Sequence, residues 1–197
     1  MRASVRKEEV AQVKLLPVLA AALLAGCSTT FVRETPVHVR VADGVSLDAA
    51  PVVEALLGMK GTYVQAANGK WKDQVFSAQC VLKGDGEKLT AVFLAPQLRL
   101  LTVTLTKPHT ITCERAPQIP RAFEPEYALA DIAYVNLDAE TLRRAVSPAL
   151  RVEDDGATRR ILAGGVLVAE VVRKPDGDVF FANKVHGYSY TLRPVSQ

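Results

Sequence analysis

From Gln74 to Glu114 apolar and polar residues alternate with a period of two, the spacing of a half-buried β-strand. In Gln74–Leu82, Phe76, Ala78, Cys80 and Leu82 fall on one side, while Ser77 and Gln79 share the other with Val75 and Val81. Lys83-Gly84-Asp85-Gly86-Glu87 is turn chemistry, and Leu89–Leu94 follows as a second strand ended by Ala95-Pro96-Gln97. Leu98–Thr106 sets Leu101, Val103 and Leu105 against Thr102, Thr104 and Thr106. After Lys107-Pro108, Thr110–Glu114 carries Ile111 and Cys113 in phase. Short strands joined by tight turns predict an antiparallel meander, apolar on one face and rich in Thr, Ser and Gln on the other.

The flanking segments are less regular. Residues 31–48 give mixed signals around Pro36 and the Ala42-Asp43-Gly44 turn. Ala49–Leu57 predicts one or two helical turns, with Pro51 confined to the helix start. Residues 116–134, with Pro117, Pro120 and Pro125, read as irregular. Asp138–Leu150 switches to helical spacing, with Leu142, Ala145 and Val146 opposite Glu140, Arg143 and Arg144, Asp138 as N-cap and Pro148 as the stop. Such a short amphipathic helix covers the open face of a sheet. Beyond the Asp154-Asp155-Gly156 turn, Arg160–Leu162, Val166–Arg173, Val179–Lys184 and Tyr188–Arg193 are candidate strands, punctuated by Gly164-Gly165, Pro175-Asp176-Gly177 and His186-Gly187. Strands, helix, strands, with no repeated βαβ unit, predict a mainly β (α+β) fold and argue against a doubly wound parallel one.

The N-terminus changes the picture. Arg2, Arg6, Lys7 and Lys14 precede an apolar run, Leu15 to Leu24, that is too short to span a bilayer. A basic head, a short apolar middle and small residues before a cut describe a secretory signal. The cut falls at Leu24-Ala25-Gly26-Cys27, which resembles the lipobox of bacterial lipoproteins. The expected organisation is a signal peptide over residues 1–26, a lipidated N-terminus and tether over 27–50, and one domain over 51–197. The resemblance implies acylation of Cys27, and a Ser28 in place of aspartate implies sorting to the periplasmic face of the outer membrane. Much of the net charge of +3 belongs to the leader. The nearly neutral remainder carries no basic stripe, so nucleic acid is not an expected partner.

Candidate chemistry is sparse. Cys80 and Cys113 have neither redox nor zinc spacing. In an oxidising compartment they are either a disulfide or two buried thiols. They sit on the first and fourth strands of the meander, about 14 Å apart in a flat sheet, which favours buried thiols over a bond that needs Cα atoms within about 7 Å. His38, His109 and His186 are far apart, and the latter two read as solvated turn residues. No G-x-S-x-G, H-E-x-x-H or P-loop is present, and the Asp-Gly pairs read as turn formers, so neither an enzyme, a metal site nor a cofactor is expected. The apolar face, with Phe76, Phe93, Leu101, Val103, Leu105 and Ile111, is the candidate ligand surface; it is either a plugged core or a partly filled cavity for acyl or polyene chains.

Arg99-Leu100-Leu101-Thr102-Val103, Leu142-Arg143-Arg144-Ala145 and Asn183-Lys184-Val185-His186-Gly187-Tyr188-Ser189-Tyr190 occur in the order seen in one family. Over most of residues 50–195 the chain resembles an uncharacterised outer-membrane lipoprotein family encoded beside aryl-polyene and fatty-acid-like biosynthetic genes, with Asn-x-x-x-Gly-Tyr as its most telling element. That family is similar in layout to the LolB outer-membrane lipoprotein receptor. The likeness implies an antiparallel open half-barrel (LolA/LolB-like) with a covering helix, whose concave face takes acyl chains. The receptor's Pro-Leu-Gly-type membrane loop corresponds to Pro96-Gln97-Leu98, where Gln97 follows the proline and no glycine follows. The resulting expectation is a monomeric, membrane-anchored protein that binds or transfers a lipid-like ligand or an acylated partner such as a lipoprotein carrier. The alternative is an envelope interaction or assembly module with a fully packed core.

Overall fold

In a computed structural model, residues 29–34, 38–42, 45–107, 110–117, 119, 125–146 and 149–195 are described. The leader, Cys27 and His109 lie outside them. The meander forms as its alternation predicts: β5 (Gln74–Asp85), β6 (Lys88–Ala95), β7 (Leu98–Thr106) and β8 (Thr110–Arg115) pair in sequence. Cys80 and Cys113 are buried and not joined in a disulfide, with two strands between theirs.

This meander is the middle of a larger sheet. β1 (Thr29–Glu34) pairs with the outer side of β8, and β4 (Lys60–Trp71) pairs with β5 along its whole length. β9 (Leu150–Asp154), β10 (Thr158–Ala163), β11 (Val166–Arg173), β12 (Val179–Asn183) and β13 (Tyr188–Pro194) form a second meander, joined to the first where β13 pairs with β4. The result is one eleven-stranded antiparallel sheet in the order β1-β8-β7-β6-β5-β4-β13-β12-β11-β10-β9, open because its edge strands β1 and β9 do not pair. β2 (His38–Ala42) and β3 (Val45–Asp48) form a separate hairpin.

Three short helices are described. α1 (Ala49–Leu57) buries Val52, Val53, Leu56 and Leu57, a stripe at helical spacing, and packs on β6 and β7. α2 (Pro125–Asn136) occupies part of the segment that reads as irregular in sequence. Pro125 takes the first helical position, where a missing N–H costs nothing. α3 (Ala139–Ala145) has the expected N-cap, with Asp138 accepting from the Thr141 N–H at 2.8 Å, but stops five residues short of Leu150, which belongs to β9. The covering role also shifts: α3 packs on α1 and the edge strand β9, whereas α2 lies against β7 and reaches β10 and β13 through side chains.

That reach sets the shape of the sheet. Seven strand steps separate β7 from β10, roughly 34 Å if flat. The twelve residues of α2 span only about 18 Å. The sheet therefore curves around α2. Buried Arg159 on β10 holds the C-terminal end of the helix: its Nη1 donates to the carbonyls of Tyr134 at 2.6 Å and Leu137 at 2.7 Å, while its Nε donates to Asp154 at 2.6 Å. A cation at the carbonyl end of a helix is favoured by the helix dipole, and Asp154 compensates its burial.

Candidate functional site

The inward face is packed at one end and open at the other. Val103, Leu105 and Ile111 are fully buried in the core that includes α1 and do not line a cavity. Phe76, Phe93 and Leu101, toward the other end of the same strands, line a cavity of about 310 Å³ between α2 and the sheet. Its wall is completed by Ala78, Cys80 and Leu82 from β5, Leu192 from β13, and Ala128, Ile132 and Val135 from α2. The predicted ligand face thus divides in two, because α1 packs over the far half of β6 and β7.

β4 supplies the side of the cavity that sequence reading missed. Gln65, Ala67 and Trp71 line it, and Gly69 lies between them in phase. A Cβ on Gly69 would run into the backbone carbonyl oxygen of Ser189 and come within 2.6 Å of Tyr190 Cβ and 2.7 Å of Phe76 Cζ. Only glycine leaves room for both rings.

The registers place four turns at one end of the sheet. They are closed by the pairs Trp71↔Gln74, Ala95↔Leu98, Ala163↔Val166 and Asn183↔Tyr188. Gln74 and Val75 line the cavity at this end, which makes it the mouth. Each turn carries an exposed aliphatic side chain there: Val75 (87 % exposed), Leu98 (39 %), Val166 (70 %) and Val185 (46 %). The Pro96-Gln97-Leu98 segment is the β6–β7 turn of this rim, with Gln97 at a φ of 67°. That left-handed conformation is one that the glycine of a Pro-Leu-Gly loop would adopt more readily.

One charged residue stands in this apolar setting. Asp131, on α2, is buried and lines the cavity. Its Oδ2 accepts the hydroxyl of Tyr188 at 2.7 Å and that of Tyr190 at 3.4 Å. Its Oδ1 has no hydrogen-bond partner. Burial pushes the carboxyl up to about 8, against the opposing pull of the tyrosine and asparagine hydrogen bonds. Burial, and then the Asp131 charge, raises both tyrosines well above their ordinary range. Cys80 is pushed up to about 12 by burial, so it is a thiol rather than a nucleophilic thiolate.

The Asn-x-x-x-Gly-Tyr element builds this arrangement. Asn183 Oδ1 accepts the backbone N–H of His186 at 2.9 Å, and Gly187 takes a φ of 68° to close the β12–β13 turn. Asn183 Nδ2 then donates to the Tyr188 hydroxyl at 3.3 Å, which donates in turn to Asp131. The turn thus delivers Tyr188 to the carboxyl across 57 residues of sequence. His186 is half-buried rather than solvated: its ring stacks on Tyr127 at a centroid distance of 4.0 Å, and burial lowers its pKa. Among the described residues no three His, Cys, Asp or Glu converge, and no serine, threonine, histidine, lysine or arginine lines the cavity.

A family model described as "Protein of unknown function (DUF3261)" matches residues 62–196. The match begins in β4 and ends just beyond β13, so it takes in all the strands from β4 to β13, α2, α3 and the whole Asp131 arrangement. No curated protein matches the chain. The chain belongs to the DUF3261 family.

Proposed function

We propose that this DUF3261 member is a non-enzymatic lipid-binding lipoprotein, an open half-barrel of the LolB-like kind. In this reading it is tethered through acylated Cys27 to the periplasmic face of the outer membrane. The observation that carries the reading is the cavity of about 310 Å³, apolar in its lining except for a few polar groups and opening at one end of the sheet. Its volume lies near the lower bound for small-molecule pockets, roughly 300 Å³. It suits one chain rather than the several chains of an acylated protein, so a single-chain lipid is the favoured cargo over a lipoprotein carrier.

The rim supports the same reading. Val75, Leu98, Val166 and Val185 stand exposed on four neighbouring turns around the mouth, where burial in a lipid surface would offset their exposure to water. Lys72 and Lys184 lie in two of those turns, compatible with an anionic headgroup layer. A lipid tether at Cys27 would keep the mouth within reach of its ligand.

Solvent extraction of the purified full chain, followed by mass spectrometry, tests this directly. A single-chain lipid in near-stoichiometric amount is expected, together with displacement of a fluorescent fatty acid. Recovery of no lipid and no displacement would overturn the reading.

A further inference from the structure

Resting on the lipid-binding reading, we propose that Asp131, Tyr188 and Tyr190 form a headgroup subsite. In it, Oδ1 of Asp131 donates a hydrogen bond to the carbonyl oxygen of an uncharged acyl head on a single-chain ligand.

The geometry assigns the proton. Oδ2 already receives two phenolic hydroxyls, so a neutral Asp131 carries its hydrogen on Oδ1, the oxygen without a hydrogen-bond partner among the described residues. A buried donor left unpaired keeps its full desolvation penalty, which a ligand acceptor would relieve. The groups around the carboxyl agree with a neutral acid. Tyr134 on its own helix, Tyr188 and Tyr190 from β13, Asn183 from β12 and Cys80 from β5 are all uncharged near neutral pH. Among the described residues, no lysine, arginine or histidine lines the cavity to pair with an ionised Asp131 or with an anionic head.

These constraints select the chemistry of the head. A carboxylate or phosphate would be buried without a counter-ion. An amine would require Asp131 to ionise against its desolvation. A hydrocarbon would leave the donor unpaired. An ester, an amide or a protonated carboxylic acid offers the acceptor without any charge. Tyr188 pairs with Trp71 beside the β4–β5 turn, so the subsite lies toward the mouth, with Leu192 and Leu82 deeper in the cavity. The head therefore lies toward the mouth and the chain runs inward.

The test uses the full chain in phosphatidylcholine nanodiscs and dodecyl diazirine probes ending in a methyl ester, a carboxylic acid, an amine or a methyl group. Peptide mass spectrometry reads labelling at Phe76, Phe93 and Leu101. The ester is expected to label about tenfold more strongly than the amine and the hydrocarbon. Asp131→Leu should reduce ester labelling to the hydrocarbon level. Asp131→Asn, which keeps an acceptor for the tyrosines and a donor toward the cavity, should retain it. Acid labelling above ester labelling identifies a free fatty acid as the source, and the reverse identifies an esterified chain. Equal labelling by all four probes, strongest labelling by the amine, or ester labelling unchanged in a folded Asp131→Leu protein overturns the subsite alone. If Asp131→Leu fails to fold, the ester-to-hydrocarbon ratio in the native chain and in Asp131→Asn decides. No labelling of the wall by any probe overturns the lipid-binding reading as well.

Discussion

The hydroxyl of Tyr188 lies 2.7 Å from Oδ2 of Asp131, joining the last strand of the sheet to the one helix that lies over its centre. The bond exists because the Asn183–Tyr188 turn and the Arg159 clamp fix β13 and α2 independently.

The burial of Asp131 gives stability a pH dependence of known sign. In the unfolded chain its carboxyl ionises near pH 4, whereas in the fold burial raises it to about 8. Below both values the group contributes nothing. Between them the unfolded chain loses a proton that the folded chain keeps, so stability falls as pH rises, and above about 8 the penalty is constant. Asp131→Asn removes this dependence. Its melting temperature should exceed that of the native chain by about 5 °C or more near pH 9, with a smaller gap near pH 5, as read by calorimetry. A gap independent of pH would sink this account.

Arg159 is buried against Asp154 and two helix carbonyls. Arg159→Met leaves the buried Asp154 carboxylate with only the Gly156 N–H and the more distant Arg173, 4.0 Å away, and frees the end of α2. A loss on the order of 3–5 kcal/mol is expected in urea unfolding. Arg173, whose Nη2 sits 3.5 Å from the Val135 carbonyl, is more exposed, and its replacement by methionine should cost less.

Gly69 keeps open the space shared by Tyr190 and Phe76. Gly69→Val should destabilise the fold by about 1–3 kcal/mol and reduce fatty-acid binding, measured by displacement of a fluorescent analogue. Unchanged stability and binding would show that the rings have room to move aside.

The rim residues make a contrasting prediction. Val75→Ser, Leu98→Ser, Val166→Ser and Val185→Ser alter exposed side chains, so each should change stability by no more than about 0.5 kcal/mol. Combined with Cys27→Ala, the four together should weaken flotation with anionic vesicles relative to Cys27→Ala alone. Equal flotation of the two proteins would remove the rim from membrane contact.

The parts of the fold that were legible in the sequence are those that meet water on one side. β7 alternates because Leu101, Val103 and Leu105 are buried while Thr102, Thr104 and Thr106 remain partly accessible. α3 is amphipathic for the same reason and carries its cap in sequence. α2 was illegible because residues 128–135 are buried on every side, so no polar stripe marks its period. β4 was illegible for the opposite reason. Its inward positions before Trp71 are Gln65 and Ala67, which line a cavity, and Gly69, which makes room for its neighbours, so they lack the large apolar residues that reveal a strand.

The sequence by itself determined the β5–β8 meander, four strands of the second meander, the capped α3 helix, a preference for unbonded cysteines and the expectation of a lipid anchor, because these rest on local periodicity, turn chemistry and spacing. Only the tertiary structure decided which half of the apolar face is core and which is cavity, since that depends on where α1 stops and α2 lies. It alone converted Asn183, Gly187 and Tyr188 from a soft motif into the support of a buried acid. The partner of that motif, Asp131, sits in a stretch whose own residues carry no sign of it. Burial and hydrogen bonding arise from contacts between distant segments, and those contacts exist only once the sheet has curved around the helix.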